Sequence, residues 1–428
     1  MIKQLIYWIT WVVLSVLYLN YLISQPFGGL LFGIFAFPIF ILMPYNFVRE
    51  RQRRFLLTRL FVGILFIISG LIKANDALGF SYKLDEYFSA DVLNLEFLMP
   101  LSLIMAAGIC VVEIVLGFMV LIGSRPKLTN WSLMGMIIFF TFLTFYSAYF
   151  NKVTDCGCFG DAIKFTPWQS FGKDILLMIF ISFLIVGEKQ ILPLFNRRKE
   201  NMLIGIITFF CFAFVVHTYR HLPLMDFRPY AIGNNITESM KTCDELSLPC
   251  TEEALLYIVK DKQSGEVLEM LSSDYQNQWE NYDFVEATDK SVTLQEGYEP
   301  PITDFSISNQ GVDYTERILN EKNVFLLICY NIEKSSSDQQ DNINRFYEQC
   351  QENGISFYAL CASSDENIAD FKQFTNAQYP FYFTDETTLK TMIRSNPGLI
   401  MLNKGTIMGK WHYNDFPQMN DLEKLIDC

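Results

Sequence analysis

Apolar and polar positions divide the chain into two parts with different periods. Up to about residue 222, long apolar runs alternate with short polar loops. Seven runs, at about 4–24, 28–47, 55–74, 98–122, 131–150, 168–187 and 201–219, reach the roughly 17–25 residues that a helix needs to cross a bilayer. Beyond them, His221–Gly233 carries two prolines and no helical period and reads as a linker. Leu255–Met270 alternates around a Gly-containing turn, as a hairpin does. From about 301 the order is strand, helix, strand, helix. Asn323–Tyr330 is a continuous apolar run suited to a buried central strand. A helix at about 337–353, a strand at Ile355–Cys361, a helix at 364–375, a short strand at 379–383 and a helix at 386–394 follow. A strand opening at Asn396-Pro397 then turns at Lys404-Gly405 and returns over Thr406–His412. The predicted fold is a multi-pass α-helical membrane domain plus an α/β domain. Its parts are two N-terminal spans (1–54), a four-helix core (55–190), a seventh span (191–222), a linker with a small β-rich extension (223–300) and an α/β domain (301–428).

Charge sharpens this division. Residues 1–222 hold 18 Lys and Arg against 12 Asp and Glu, whereas residues 223–428 hold 15 against 34. The acidic second half argues against nucleic acid as a partner, because phosphate binding needs clustered cations. Lys3, Arg49–Arg54, Arg125 and Lys127, and Lys189 with Arg197–Lys199 fall on alternate loops, hence on one face, which the positive-inside rule makes cytoplasmic. With no basic stretch beyond Lys3 and no small-residue cleavage pattern, the run 4–24 reads as a retained helix. The expected location is the bacterial inner membrane, with the N-terminus inside and the C-terminal domain in the periplasm. Lipid, periplasmic or envelope proteins and other membrane-complex subunits are its expected partners.

That placement puts the hexapeptide Cys156-Gly-Cys158-Phe-Gly-Asp161 on the outer side, where disulfides persist. Two thiols one residue apart, flanked by glycine, suit thiol–disulfide exchange or soft-metal ligation; they also suit a plain loop turn. Cys243 and Cys250 are expected to close a local structural disulfide, or else to act as a second dithiol. Cys110 and Cys211, inside spans, read as packing residues. Three ionisable residues within spans call for partners or tasks: Glu113, Arg59 and Lys73. A structural Glu113–Arg59 pair is expected, with a proton- or quinone-related role as its alternative, and Lys73 is expected to snorkel to the interface.

The stretch Arg59–Gly79 resembles the first core helix of the DoxX family, while Glu113-Ile-Val-Leu-Gly117 and the Cys156–Asp161 hexapeptide resemble its MauE branch, the methylamine-utilisation membrane proteins. The resemblance covers about residues 55–190 and implies a four-helix core with Cys156 and Cys158 as the redox pair. It further implies work in maturing disulfide-rich periplasmic proteins, or quinone-linked sulfur chemistry. The whole arrangement looks like DoxX-type proteins of Bacteroidetes-like bacteria that carry a fused thioredoxin-like domain. Residues 301–428 resemble that fold, with Pro397 as its cis-proline. Where thioredoxins place Cys-x-x-Cys, however, this chain reads Tyr330-Asn-Ile-Glu-Lys-Ser-Ser336.

No phosphate loop or dinucleotide fingerprint occurs, and three histidines are too few and scattered for a zinc site or a triad. Two readings of different class remain. One is a thiol–disulfide redox protein exchanging electrons with a membrane carrier such as a quinone, without any certain cofactor and without a metal. The other is a non-enzymatic scaffold or assembly subunit of an envelope complex. Solute transport through the helical core rests only on Glu113, Arg59 and Lys73.

Overall fold

The computed structural model describes residues 51–153, 157, 159–163, 165–295 and 297–426; the two N-terminal apolar runs, Cys156, Cys158 and Cys428 lie outside them. The chain divides into two compact units, Met1–Tyr219 and Arg220–Cys428.

Among the described residues of the first unit five helical stretches are long and apolar enough to cross a membrane: Arg54–Asn75, Glu96–Ile122, Pro126–Phe150, Pro167–Val186 and Arg197–Arg220. They coincide with the last five expected runs. The helices are α1 (Arg51–Asn75), α2 (Ala77–Phe88), α3 (Ser102–Ile122), α4 (Pro126–Phe150), α5 (Pro167–Val186) and α6 (Arg197–Arg220). Small residues let α1 and α3 approach closely. A Cβ on Gly63 would lie 2.8 Å from the Gly117 carbonyl oxygen, and one on Gly117 equally close to that of Gly63. A capping box starts α5. The Gln169 amide donates to the Thr166 hydroxyl at 3.3 Å, the Thr166 amide donates to the Gln169 side chain at 3.1 Å, and Pro167 occupies the first turn.

Helix α2 lies where the sequence suggested only a loop. Asp76 caps it by accepting from the Gly79 amide at 2.8 Å. Ala77, Phe80, Leu84 and Phe88, at helical spacing, bury one face in a cluster with residues of α1, α3 and α6. Helix α6 joins the same cluster through Cys211 and Val215, and Thr218 donates to the Ala74 carbonyl at 2.8 Å.

The second unit is sheet-rich. Strands β1 (Glu252–Asp261), β2 (Val267–Leu271) and β3 (Tyr282–Gln295) form an antiparallel sheet ordered β2-β1-β3. The first two are the expected hairpin; β3 is an addition to it. The main sheet holds β4 (Ser308–Asn309), β5 (Val312–Asp313), β6 (Val324–Cys329), β7 (Ser356–Cys361), β8 (Phe381–Phe383), β9 (Gly398–Asn403) and β10 (Thr406–His412), in the order β10-β9-β6-β7-β8-β4-β5. Strands β6, β7 and β8 run parallel, and β9 and β10 run antiparallel in turn. Helices α7 (Gln340–Glu352), α8 (Asp365–Thr375), α9 (Glu386–Met392) and α10 (Met419–Ile426) complete it. The β6-α7-β7 crossover beside the β9-β10 hairpin is a thioredoxin-like arrangement. All six residues of β6 are buried, with apolar clusters on both faces of the sheet.

The stretch 221–233 differs from the expected linker. Arg228 and Tyr230 are buried, and backbone bonds from Gly233 to Ile407 and from Ile236 to Gly405, both 2.8 Å, lay the chain along the β9–β10 hairpin. Its charged residues explain the difference: Asp226 pairs with Arg228 at 2.7 Å and with Lys410 of β10 at 2.6 Å, an anchor that hydropathy does not reveal.

Candidate functional site

Within the helical unit, polar side chains gather among α1, α3, α4 and α5. Lys73, near the end of α1, reaches both oxygens of Glu113 on α3, at 2.8 and 3.0 Å, and the Ser69 hydroxyl at 2.6 Å. Its ammonium also lies 5.3 Å from the Phe140 ring and 5.8 Å from that of Phe80. Lys73 and Glu113 are both almost wholly buried, so each ion is compensated by the other.

These contacts correct two expectations. Glu113 pairs with Lys73 rather than with Arg59, and Lys73 does not snorkel to an interface. Arg59 instead donates to the Val120 and Leu121 carbonyls, at 2.9 and 2.7 Å, and so satisfies the open C-terminal end of α3. Helix register is the reason. Gly63 packs on Gly117, and Gly70 on Cys110 and Ile114, which brings Arg59 to the end of α3 and Lys73 to its middle.

A second buried ion pair lies on α5. Lys173 meets Asp174 at 2.5 Å, and Asp174, fully buried, also accepts from the Thr144 hydroxyl of α4 at 3.0 Å. The Lys173 ammonium stands 5.6 Å from the ring of Phe159, the residue that follows Cys158. Phe159 is buried in the main apolar cluster of the bundle with Phe61, Phe180 and Ile163. Gly157, between the two cysteines, has φ +65 and is close to α2: a Cβ there would meet Lys83 at 3.3 Å and Phe80 at 3.9 Å. Gly160, at φ +50, faces Ile72 of α1. The described part of the hexapeptide is therefore wedged among α1, α2 and α5. Cys156 and Cys158 themselves lie outside the described residues. The Lys173-Asp174 doublet escaped the sequence reading, although an ionisable residue inside an apolar run is the signal that singled out Glu113.

In the second unit, Cys243 and Cys250 are joined by a disulfide with Cα atoms 5.2 Å apart. Cys243 opens a short helix, Cys243–Leu246, capped by Thr242 and Glu245. Asp244 lies close to both sulfurs, but sulfurs bonded to one another are not free thiolates for a metal.

The Asn396–Pro397 peptide is cis, and the loop before it faces the end of β6. Asn396 donates from its side chain to the Asn331 carbonyl at 2.6 Å, and its own carbonyl accepts from the Ser336 amide at 3.0 Å. The segment that replaces a thiol motif is thus bonded directly to the proline loop. Its nearest thiols are inert. Cys329 and Cys361 are register partners on β6 and β7, and Cys350 lies behind them; all three are buried. Burial drives the Cys329 and Cys361 thiols above their usual range and pushes Cys350 up to about 12, so all three stay protonated at neutral pH.

Two comparisons bear on this arrangement. Residues 51–187 match the family described as "Methylamine utilisation protein MauE". The chain is also 24% identical over 220 residues to "Protein TlpB" of Flavobacterium psychrophilum, covering 47% of this chain and 54% of that protein. It therefore spans about half the length of the curated relative that it matches. Residues 51–187 are thus similar to the MauE family, within a multi-pass membrane bundle, and the sheet order of the second unit is thioredoxin-like.

Proposed function

We propose that the protein is a membrane thiol–disulfide redox protein in which Cys156 and Cys158 form the working pair and the thioredoxin-like unit holds a protein client. The observation that carries this reading is a contrast between cysteines. Cys329, Cys350 and Cys361 are buried and protonated, and Cys243 and Cys250 are already bonded to one another. In the hexapeptide, by comparison, Gly157 lies against α2 and the Phe159 ring lies 5.6 Å from the buried Lys173 ammonium. In the oxidising direction the two thiols lose two protons and two electrons, one S–S bond forms, and a quinone in the lipid takes up both protons and both electrons as quinol. A client dithiol then exchanges with that disulfide through a mixed disulfide. Clients in the bacterial envelope suit this chemistry, with the helices in the inner membrane, the N-terminus cytoplasmic and the acidic second unit outside.

Differential alkylation and mass spectrometry of the protein in its native membranes tests this. Both Cys156 and Cys158 should move between alkylatable and disulfide-bonded forms as an added quinone or a reductant is supplied, and Cys156→Ser should stop the cycle. A pair locked in one state under both conditions overturns the proposal.

A second reading, a scaffold or assembly subunit, draws support from the proline loop. The Asn396 carbonyl is already engaged by Ser336, and the thiols described at that end of the sheet, Cys329 and Cys361, are buried. Envelope partners that co-purify equally with the Cys156→Ser/Cys158→Ser variant and with the parent, in a protein whose cysteines do not cycle, would favour it.

A further inference from the structure

We propose that the three-stranded sheet β2-β1-β3 is a docking site for an extended, lysine-rich segment of another protein, which adds as a strand along the open edge of β3. The site is separate from the main sheet and from the cysteine pair, so it stands whether or not the thiols cycle. Among the described strands β1 pairs with both of the others, which leaves β2 and β3 as edges. The longer edge is β3, with 14 residues against 5 in β2. A strand edge carries unpaired N–H and C=O groups, and an extended chain laid along it satisfies them.

A sheet gains stability by burying an apolar face against another layer, and this one does so only in part. Within β1 only Ala254 and Val259 are buried. The short helix Ser272–Gln278 covers one patch, with the Tyr275 ring 5.9 Å from that of Tyr257 and 6.0 Å from that of Phe284. Phe284 nevertheless stays 50% exposed, and its neighbour Val285 52%. Adjacent strand residues point to opposite faces, so both faces are open beside this edge. Val292 and Leu294 continue the exposed apolar surface toward the end of the strand. Charge then decides the occupant. From Glu252 to Gln295 the chain holds ten Asp and Glu against three Lys. One of those lysines, Lys262, is already engaged by the Glu280 carbonyl at 2.9 Å and by Asp283 at 3.7 Å. A second copy would bring the same surplus of carboxylates against the edge, and an anionic lipid surface would add more negative charge, so both are repelled. A segment alternating lysine with apolar residues meets the carboxylates with its ammonium groups and the exposed apolar side chains with the rest.

The test measures fluorescence anisotropy of a labelled peptide alternating lysine with valine, added to the full chain in nanodiscs of uncharged phosphatidylcholine. The peptide should bind, and its affinity should fall as salt rises. A peptide alternating glutamate with valine should not bind. The lysine–valine peptide methylated at every backbone nitrogen keeps its charge and side chains but donates no ladder hydrogen bonds, and it should lose binding. Asp283→Lys/Glu286→Lys reverses two exposed carboxylates of β3 and should weaken the unmethylated peptide by about tenfold, with circular dichroism checking the fold. Equal binding of the methylated peptide, which needs no variant, overturns the proposal. An affinity untouched by the charge reversal in a folded variant, or no binding of the lysine–valine peptide at all, overturns it too. So does a dimer in light scattering that Val285→Asp makes monomeric, since the edge then belongs to a second copy.

Discussion

The two units bury charge in similar ways and sulfur in opposite ways. Both enclose a lysine and a carboxylate: Lys73 with Glu113 among the helices, Lys410 with Asp226 beside the sheet. Yet the thioredoxin-like unit keeps its free described thiols inside apolar clusters, whereas in the membrane unit Gly157 and Gly160 of the hexapeptide have left-handed φ and Phe159 lies beside the buried Lys173 ammonium. A fold associated with thiol chemistry thus holds its described free thiols inert. Fold ancestry and site are separable, and only the site's own geometry argues for a reaction.

The comparison is sharpened most by breaking the deepest pair. Glu113→Ala leaves Lys73 uncompensated inside the bundle and should destabilise the helical unit by about 4 kcal/mol, read by thermal unfolding in detergent. Lys73→Met/Glu113→Leu should recover most of that loss, since it removes both charges. Stability unchanged in Glu113→Ala, with thiol cycling lost, would assign the pair to chemistry rather than to packing.

Next comes the clamp of the sheet-rich unit. Asp226 accepts from Arg228 at 2.7 and 3.0 Å and from Lys410 at 2.6 Å. Burial alone would raise its carboxyl pKa, but Arg228 and Lys410 outweigh burial and hold it at about 2. Burial pulls Lys410 downward, against the attraction of Asp226. These directions oppose each other across one pair; with two cations on one carboxylate, the lowered Asp226 decides the charge state. A depressed carboxyl stabilises the fold above its unfolded value near 4, and that stability disappears as pH falls toward 2. Asp226→Ala should cost about 3 kcal/mol at neutral pH and flatten the acid limb of the unfolding curve between about pH 4 and 2.

What the sequence revealed and what it hid follow from the same physics. Apolar run length located α1, α3, α4, α5 and α6 because a bilayer fixes how long a helix must be. The continuous run at Asn323–Tyr330 announced the central strand. Helix α2 was hidden because Lys83, Asp85 and Glu86 dominate a short window, while its apolar spacing is visible only when counted. The partner of Glu113 was hidden because helix register depends on which glycines meet, here Gly63 with Gly117, and that is a tertiary fact. Lys173 and Asp174 were overlooked because one doublet barely lowers the mean hydropathy of a 20-residue run.

A milder perturbation separates the units by pH. His412 is buried at the end of β10, and its Nδ1 accepts from the Asn414 amide at 3.1 Å, which requires the neutral ring. Burial lowers its pKa to about 4, with Asp415 opposing the shift. The unfolded chain therefore takes up this proton first, near pH 6.5, and stability falls as pH drops from about 6.5 to 4. The sheet-rich unit should lose about 2 kcal/mol over that window. His412→Asn, which keeps a side-chain acceptor, should remove most of that slope.

The smallest expected effect tests the comparison most directly. Cys329 and Cys361 are in register on parallel strands, at the end of the sheet where the proline loop and the Tyr330–Ser336 segment meet. If the thioredoxin-like unit retained a redox task, these two sulfurs would have to carry it. Burial that holds both thiols protonated argues that they only fill space. Cys329→Ala and Cys361→Ala should each cost about 1 kcal/mol, the contribution of a small buried group, and should leave quinone-dependent cycling of Cys156 and Cys158 unchanged. A double variant that stopped that cycling as completely as Cys156→Ser, while remaining folded by circular dichroism, would place electron flow through the sheet. The two units would then divide the chemistry between them, with the membrane pair no longer its only seat.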